Sequence, residues 1–514
     1  MRRIPVLAVC LAVGGCMVGP DYHRPAAIVS ARYKELAPAP GWQRATPSLA
    51  SARKGDWWLI YDDPMLDGLE AQVVVSNQNV KSAEAAYRQA RALVDEARAG
   101  LFPTLAGSFN DTRSAFGSGG RTVSSTLVGG LSQYSGSGTT QTTYQLEGTA
   151  SWDLDVWGRI RRQVESDVAG AQVSAADLAN AALSAQAELA TAYFDLRTED
   201  TLQDLLDRTL ASYAESLRIT QNQYNAGYLN TSPIALLQAK TQLEQTRAQA
   251  ISVGVARSQD EHAIAVLTGR PPAALSLAPQ LLARRVPPIP VTLPALLLQR
   301  RPDIAAAERT MEQENALIGV EIAAFFPDIS LSAAYGWSGD PIGALIQLSS
   351  RVWSLGVAAS ENIFEGGLRS AAVRAARATY DEAVANYRQT VLTALQDTED
   401  DLAGLRILGE EAEAQARAVA LSEQAVTVAL NQYRAGVVDY TTVVTSQTTA
   451  LSNEESAISI QQQRLVDSVS LIQQMGGGWT TADLPSKDQL QTNNPLVPAF
   501  LDHSKPPPDG LPPS

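Results

Sequence analysis

Two very long stretches without proline constrain this 514-residue chain more than any other feature. Residues 160–226 contain one glycine, and residues 371–435 contain two. Apolar residues recur at steps of four and three from Leu178 to Leu196 and from Leu206 to Tyr224. That 3.5-residue period is typical of helices that pack as in a coiled coil. Each stretch predicts a helix of about 100 Å, which favours a rod or tube that bridges a gap over a globular core.

The chain is also internally duplicated. The segment Leu101–Pro103 recurs 224 residues later as Phe325–Pro327, and Gln223–Gly227 recurs 209 residues later as Gln432–Gly436. The two offsets differ by 15 (224 − 209), so the first copy carries about 15 extra residues. They fall in the stretch Thr112–Thr143, whose Ser-, Thr- and Gly-rich composition predicts a flexible loop. The two structural repeats are assigned to residues 71–268 and 295–475.

Each repeat contains the same predicted elements in the same order: a helix, two strands and a long helical hairpin. Alternating apolar residues predict strands at about 105–111 and 143–155 in the first repeat, and at about 329–337 and 352–364 in the second. The hairpins are predicted over 160–268 and 368–475. A Pro-rich linker, 269–294, joins the repeats. Residues 16–70 precede them, and residues 476–514 follow as a C-terminal segment that ends in a flexible tail.

The amino terminus has the pattern of a lipoprotein signal peptide over residues 1–15. Arg2 and Arg3 precede an apolar run that ends at Val13, and two glycines then lead to Cys16. The run is too short for a membrane-spanning helix, which needs about 20 apolar residues. We therefore predict that Cys16 becomes the first residue and carries diacylglycerol and an N-acyl chain. An ordinary secretory signal with an incidental cysteine is the alternative.

Composition and motifs exclude several functions. The net charge of −14 argues against nucleic acid as a partner. The three histidines lie far apart in sequence, and no His, Cys or carboxylate cluster has the spacing of metal ligands. The sequence contains no nucleophile elbow, phosphate-binding loop or dinucleotide fingerprint. We therefore expect no enzymatic activity and no metal or other cofactor apart from the lipid on Cys16.

Two glycines mark the turns of the predicted hairpins. Gly227 and Gly436 each follow a long helical pattern, at a place where glycine supplies a left-handed C-cap. Ser232 and Pro233 then favour a new helix start in the first repeat, and Asp439 or Thr441 does so in the second. Both a structural turn and a functional aperture at the end of the hairpins are compatible with this pattern.

Taken in order, several motifs resemble the outer membrane factor family of TolC-like channels, in particular the lipoprotein branch of OprM-like and NodT-type proteins. No single motif is specific, but their succession covers nearly the whole chain. They are Cys16 with Gly19–Pro25, Trp57-Trp58, Asp63–Leu66, Leu293-Pro294, Arg301–Ile304, Ala307-Glu308, Ile318-Gly319, Phe326-Pro327 and the two Tyr-x-Ala-Gly segments.

The resemblance implies a mixed α and β fold in a homotrimer. Four strands from each chain would form one twelve-stranded β-barrel in the outer membrane of a Gram-negative bacterium. The long helices would continue it as an α-helical barrel through the periplasm, with a small mixed equatorial region. The implied function is the outer-membrane channel of a tripartite efflux system. The implied partners are a periplasmic adaptor protein and an inner-membrane pump of the RND type.

The resemblance also implies where the periplasmic aperture lies. In relatives, acidic residues on the returning helix of the second repeat surround the aperture, and the matching positions here are Thr442 and Thr445. A bulky leucine of relatives is matched by Thr441. This chain therefore departs from the acidic pattern, and we expect closure to depend on four other residues that hold neighbouring hairpins together: Tyr433, Arg434, Asp439 and Tyr440.

Two other functions are compatible with the pattern. A structural or adhesive coiled-coil lipoprotein without a pore would also contain long helices, although it would not need alternating strands in each repeat. An outer-membrane channel for type I protein secretion would share the fold of an efflux channel. The sequence does not identify the cargo.

Overall fold

The structure is a computed structural model that describes residues 17–30, 32–35, 56–116, 139–227, 232–289 and 294–491. Three sequence predictions therefore lie outside the described residues. They are the signal peptide with the lipid on Cys16, the middle of the Thr112–Thr143 stretch, and the tail beyond residue 491.

Each repeat begins with two helices rather than one. In the first repeat they are α1, Pro64–Ser76, and α2, Gln78–Ala99, whereas α5, Pro294–Arg300, and α6, Pro302–Ala323, begin the second. Asp63 starts α1 because its carboxylate accepts hydrogen bonds from two backbone N–H groups of the first turn. The predicted boundary at residue 70 falls inside α1, so the first turns of this helix precede the repeat as it was assigned.

Two helical hairpins of equal dimensions make up most of the chain. The first contains α3, Arg159–Asn225, and α4, Pro233–Leu267, and the second contains α7, Leu368–Arg434, and α8, Tyr440–Gln474. The outgoing helices α3 and α7 both have 67 residues, and the returning helices both have 35. An outgoing helix is thus about 100 Å long. Among the described helices, none combines the length and apolar character needed to cross a membrane.

Four antiparallel strands form one sheet in the order β1-β2-β3-β4. Their bounds are Thr104–Phe116, Thr139–Leu154, Asp328–Gly339 and Arg351–Ser360. The central pair, β2 and β3, joins the two repeats, with Leu154 opposite Ile329. The remaining elements are short. One is the helix α9, Lys487–Leu490, and the others are 3-10 helices at Trp57–Tyr61, Pro272–Ala274, Ile342–Ala344, Leu348–Ser350 and Thr481–Asp483.

The strand bounds differ from the predicted ones in two places. β1 extends to Phe116 and β2 begins at Thr139, so both ends of the predicted loop are strand. Polar pairs such as Thr112 opposite Thr143 form a regular ladder there, because Ser and Thr fit an extended backbone once a partner strand is present. β4 ends at Ser360 rather than at residue 364. Asp328, the first residue of β3, lies opposite Ser360, so β3 offers no partner to residues 361–364.

A buried ionic network fixes the linker between the repeats to the first hairpin. Arg197, which is 2% exposed, donates a hydrogen bond of 2.8 Å to the Asp200 carboxylate. Arg257 binds the other oxygen of that carboxylate at 2.7 Å. The two arginines also donate to the carbonyl groups of Ala278 and Leu277. The linker backbone therefore finds its hydrogen-bond partners on α3 and α4.

Glu70 is the least compatible residue of the core around α1. It is fully buried, and neither carboxylate oxygen has a hydrogen-bond partner among the described residues. Burial, followed by the charge of Asp67, raises the pKa of Glu70 to about 9. Because the folded-state pKa lies above the unfolded value, the folded protein keeps this proton over a pH range in which the unfolded chain loses it. The contribution of Glu70 to the stability of the fold is therefore lost as pH rises toward the folded-state pKa.

Replacing Glu70 by glutamine is expected to raise the stability of the protein at pH 8 by about 1–3 kcal/mol, because the unfolded chain no longer gains free energy by ionising a carboxyl that the folded protein keeps protonated. The loss of stability between pH 6 and pH 9 should also become smaller. Thermal unfolding of the detergent-solubilised protein at both pH values tests this. Glu413→Gln, which changes an exposed glutamate of α7, is the matched control. Equal pH dependence in the wild type and Glu70→Gln would contradict the prediction.

Candidate functional site at the tip of the helical hairpins

The outgoing helices of both hairpins end in the same way. Gly227 has a φ of 72° and Gly436 a φ of 74°, so both lie in the left-handed region two residues beyond their helices. In the second hairpin, the Val437 N–H donates back to the Gln432 carbonyl at 2.9 Å, which closes the last turn. A Cβ atom at either position would have no described atom within 4 Å. Glycine is therefore favoured by its positive φ and not by lack of space for a side chain.

The two returning helices begin differently. The Ser232 hydroxyl accepts a hydrogen bond from the Ala235 N–H at 3.3 Å, and Pro233 occupies the first position of α4. Asp439 occupies the same place before α8, but its side chain makes no capping hydrogen bond. The start of α8 therefore depends on packing more than on its cap.

That packing involves two buried tyrosines. Tyr433, at the end of α7, and Tyr440, at the start of α8, are each 2% exposed, and their ring centroids lie 5.4 Å apart. Small side chains from α4 and α7 allow the helices to approach closely. We call this group the tip cluster, and it consists of Ala235, Ala239, Ala429, Tyr433, Tyr440 and Val443.

Buried hydrogen bonds extend the tip cluster toward α3. The Tyr433 hydroxyl donates to Thr220 Oγ1 at 3.2 Å, and Thr220 in turn donates to the Ser216 carbonyl. One turn beyond Val443 on α8, the Gln447 side-chain amide donates to Ser216 Oγ at 3.0 Å. Burial raises the pKa of the Tyr440 hydroxyl above its usual range, so this ring stays neutral.

These contacts join the first repeat to the second within one chain. The tyrosines that we expected to link neighbouring hairpins thus contact α3 and α4 of the same protomer. Sequence reasoning did not assign to the tip Ser216 and Thr220 of α3 or Gln447 of α8. Thr220 lies in the heptad pattern from Leu206 to Tyr224, and Gln447 recurs at the position of Gln238 in the other repeat.

The charged residues of the tip lie at the surface. Arg434 and Asp439 are both exposed. Arg218 lowers the pKa of the Glu215 carboxyl through a hydrogen bond, and Arg434 adds a smaller effect of the same sign. Arg434 thus lies in the field of Glu215, an acidic residue of α3 that the sequence pattern did not single out.

The threonines of α8 present a neutral surface. Thr441, Thr442 and Thr445 are exposed. The Thr445 hydroxyl donates to the Thr441 carbonyl at 2.9 Å, and the Thr449 hydroxyl does the same to the Thr445 carbonyl. No acidic residue occurs on α8 before Glu454. The side chains on the first turns of α8 therefore carry no charge.

At the other end of α3, a buried arginine holds the amino-terminal segment. Arg162, which is 1% exposed, donates to the Val18 and Gly19 carbonyls and pairs with Asp21 at 3.0 Å. The Val18 N–H donates to the Trp157 carbonyl between β2 and α3. The residues directly after Cys16 are thus fastened beside the sheet. No group of three or more His, Cys, Asp or Glu side chains in the described ranges is arranged to hold a metal ion.

Comparison with known proteins places this geometry in a family. The family model for outer membrane efflux proteins matches residues 70–270 and 293–477. The toluene efflux pump outer membrane protein TtgI of Pseudomonas putida is 31% identical over 482 residues, which are 94% of this chain and 99% of TtgI. The cation efflux system protein CusC of Escherichia coli is 26% identical over 92% of this chain and 97% of CusC.

Solved structures agree with the sequence comparison. The outer-membrane channel OprN has a TM-score of 0.81 and 29% sequence identity, over 90% of this chain and 100% of OprN. The MtrE outer membrane channel of Neisseria gonorrhoeae, solved in an open state, has a TM-score of 0.76 and 25% identity, over 92% of this chain and 100% of MtrE. The expected fold class is confirmed: the chain has the mixed α and β fold of trimeric outer-membrane channels, with four strands in each protomer.

Proposed function

Because the chain belongs to the outer membrane efflux protein family, we propose that its tip cluster holds the periplasmic aperture of an efflux channel closed. The protein is an outer-membrane efflux channel of a Gram-negative bacterium and extends into the periplasm. The family consists of transport channels. The observation that carries the proposal is that all four helix ends of the two hairpins meet at Tyr433 and Tyr440.

Channels of this family are trimers that work in tripartite systems with a periplasmic adaptor and an inner-membrane pump. We propose that the pump of this system is of the RND type and that the cargo is a small molecule. The relatives described above are named for the efflux of toluene or of cations, which favours efflux over protein secretion. A structural rod without a pore is disfavoured by the sheet, since each repeat contributes a pair of strands.

Opening would separate the hairpins that the tip cluster joins. In the closed state the Tyr433–Thr220 hydrogen bond holds the second hairpin against the first, and the tilted contact between the rings of Tyr433 and Tyr440 joins α7 to α8. An adaptor that binds the separated hairpins more tightly would shift the equilibrium toward the open channel, and only by its difference in affinity for the two states. MtrE, which has the same fold, has been solved in an open state.

The aperture of this chain would differ from acidic ones in its electrostatics. Thr441, Thr442 and Thr445 present hydroxyl groups, and the nearby charges are those of Arg434, Asp439 and Glu215. A neutral ring repeated three times attracts cations less than three carboxylates would. We propose that Arg434 and Asp439 bias closure through exposed charges rather than through a buried pair.

Replacing Arg434 by alanine is expected to raise basal conductance in planar bilayers roughly two- to fivefold, since exposed charges act weakly. Raising the salt concentration should reduce the difference from the wild type because salt screens such charges. Arg417→Ala changes an exposed arginine of α7 that lies farther from the turn, and it should leave conductance unchanged. If Arg434→Ala conducts like the wild type at low salt, closure does not depend on this residue.

We also propose that Cys16 is lipidated and that the lipid anchors the protein without building the pore. The support is the signal-peptide pattern, together with the fastening of Val18 and Gly19 to Arg162 beside the sheet. Cys16→Ala, exported through another signal peptide, should lose lipid label but keep its trimer and its conductance. Absence of trimers from the outer membrane in that variant would contradict the second part of this proposal.

A further inference from the structure

Each repeat forms a groove between its second helix and its outgoing helix. The second helices, α2 and α6, both have 22 residues and begin 224 residues apart (302 − 78). The outgoing helices, α3 and α7, begin 209 residues apart (368 − 159). These are the two offsets of the sequence duplication. Each position in the groove between α2 and α3 therefore has a counterpart in the groove between α6 and α7.

The groove of the second repeat is filled by an amino-terminal stretch, residues 20–29. Arg24 donates a hydrogen bond to the Tyr387 hydroxyl of α7 at 3.0 Å and pairs with Glu308 of α6 at 3.4 Å. Met311 of α6 and Tyr387 are fully buried in the cluster that results. Three further side chains of the stretch pack against this cluster: Tyr22, Ala27 and Val29.

The matching groove of the first repeat is open in the part of the chain that the structure describes. Tyr87 and Leu178 are the counterparts of Met311 and Tyr387, yet both are only partly buried. Trp479 lines the groove from the carboxyl-terminal side, and the space between these side chains is about 530 Å³. Among the described residues, the first repeat therefore has no equivalent of the stretch that fills the second.

The chain leaves the described structure beside this open groove. Gln489 lines the groove, and the Gln491 carbonyl accepts a hydrogen bond from Arg98 at 2.6 Å. Arg98 is 11 residues from Tyr87 on α2 (98 − 87), which corresponds to about 16 Å along the helix. Residues 492–494 are Thr-Asn-Asn and precede a proline, a composition typical of turns. The sequence after Gln491 thus favours a reversal of the chain back along α2.

An apolar run, residues 495–501, follows this turn signal. It has no charged side chain and ends in Phe500 and Leu501. We infer that the run turns back after residue 494 and binds in the groove between α2 and α3, in the place that residues 20–29 take in the second repeat. Six extended residues span about 20 Å, which brings Phe500 from the level of Arg98 to that of Tyr87. The occupant is a part of the same chain, so the inference depends neither on the trimer nor on the proposed function.

The direction of the proposed run agrees with that of the amino-terminal stretch. The Asn315 side chain donates to the Pro20 carbonyl at 2.9 Å, and further along the stretch Arg24 pairs with Glu308. The amino-terminal stretch therefore runs from the end of α6 toward its start. The proposed run would pass from the end of α2, at Arg98, toward the start of that helix. The two matching helix pairs would then be covered in the same way.

Thiol labelling of the purified full-length protein tests the occupant of the groove. Ala182 lines the groove and is the counterpart of Val391, which is 1% exposed in the second repeat. The variant Ala182→Cys should react with a charged maleimide roughly tenfold more slowly than Ala182→Cys combined with Phe500→Asp, because an apolar groove excludes a carboxylate. The wild-type chain gives the background reaction of Cys16.

Leu511→Asp is the matched control for this experiment. It places the same charge on a leucine of the tail that lies outside the apolar run. Ala182→Cys combined with Leu511→Asp should therefore be labelled as slowly as Ala182→Cys alone.

A disulfide would locate the run and identify the chain to which it belongs. Ala179 also lines the groove. Oxidation of Ala179→Cys with Phe500→Cys is expected to link the two positions within one chain, so that the mass on non-reducing gels remains that of the monomer. Mass spectrometry after proteolysis should then find the two cysteines in one cross-linked pair of peptides. Ala179→Cys with Leu511→Cys should link to a smaller extent.

Three results would overturn the inference. Rapid labelling of Ala182→Cys in the otherwise unchanged chain would show that the groove is open. Equally slow labelling with and without Phe500→Asp would show that another part of the protein covers it. A disulfide between chains would assign the run to a neighbouring copy. Trimer content and conductance are measured separately, so each of these results leaves the proposed function intact.

Discussion

Replacing Tyr440 by alanine is expected to open the channel more than any other single change at the tip. The ring is 2% exposed and packs against Tyr433, so its removal leaves a cavity where the helix ends meet. Truncation of a buried aromatic side chain costs about 3–5 kcal/mol. Each protomer of a trimer would bear this loss. If closure depends on the tip cluster, basal conductance in planar bilayers should rise by on the order of tenfold or more.

Tyr440→Phe is the matched control for that experiment. It keeps the ring and removes a hydroxyl that forms no hydrogen bond to a side chain in the described residues, so conductance should change little. Tyr433→Phe should have an intermediate effect, because the Tyr433 hydroxyl donates to Thr220. A closed channel with wild-type conductance in Tyr440→Ala would place the gate away from the tip cluster. Trimer content needs to be compared in parallel, so that loss of folding is not mistaken for opening.

Placing aspartate at Thr445 is expected to change the ion selectivity of the channel. Thr445 is exposed on a stretch of α8 that carries no acidic residue, and a trimer would present three new carboxylates at the same level. Rings of acidic side chains favour cations. We expect the ratio of cation to anion permeability to rise on the order of tenfold at low salt. Block by trivalent cations added from the periplasmic side should appear at lower concentrations.

Thr445→Asn separates charge from shape, because asparagine has nearly the size of aspartate without its charge. It should keep the selectivity of the wild type, and Thr442→Asp should reproduce the effect of Thr445→Asp because the two positions share a helix face. Reversal potentials in a salt gradient provide the measurement. If aspartate at both positions leaves the reversal potential unchanged, these threonines do not line the conduction path.

Local sequence patterns were sufficient for the main elements. The absence of proline over 160–226 and 371–435 predicted the two helices of 67 residues, and the glycines at 227 and 436 predicted where they end. Pro233 stands at the first position of a helix, as expected, and Pro302 occupies the same position in α6. These features depend on the geometry of a few neighbouring residues, which a single sequence records directly. The duplication then predicted that the second half repeats the first.

Local patterns in the chain thus specify the order, length and turns of the elements, whereas packing in three dimensions selects which residues meet. The hydrogen bond from Tyr433 to Thr220 joins positions 213 residues apart, and no periodicity relates them. The burial of Glu70 follows from how α1 packs, since a carboxylate is ordinarily placed at the surface. The ends of the strands likewise depended on whether a partner strand was present. Patterns along a chain report local backbone preference, whereas contacts between distant residues depend on how whole helices and strands pack.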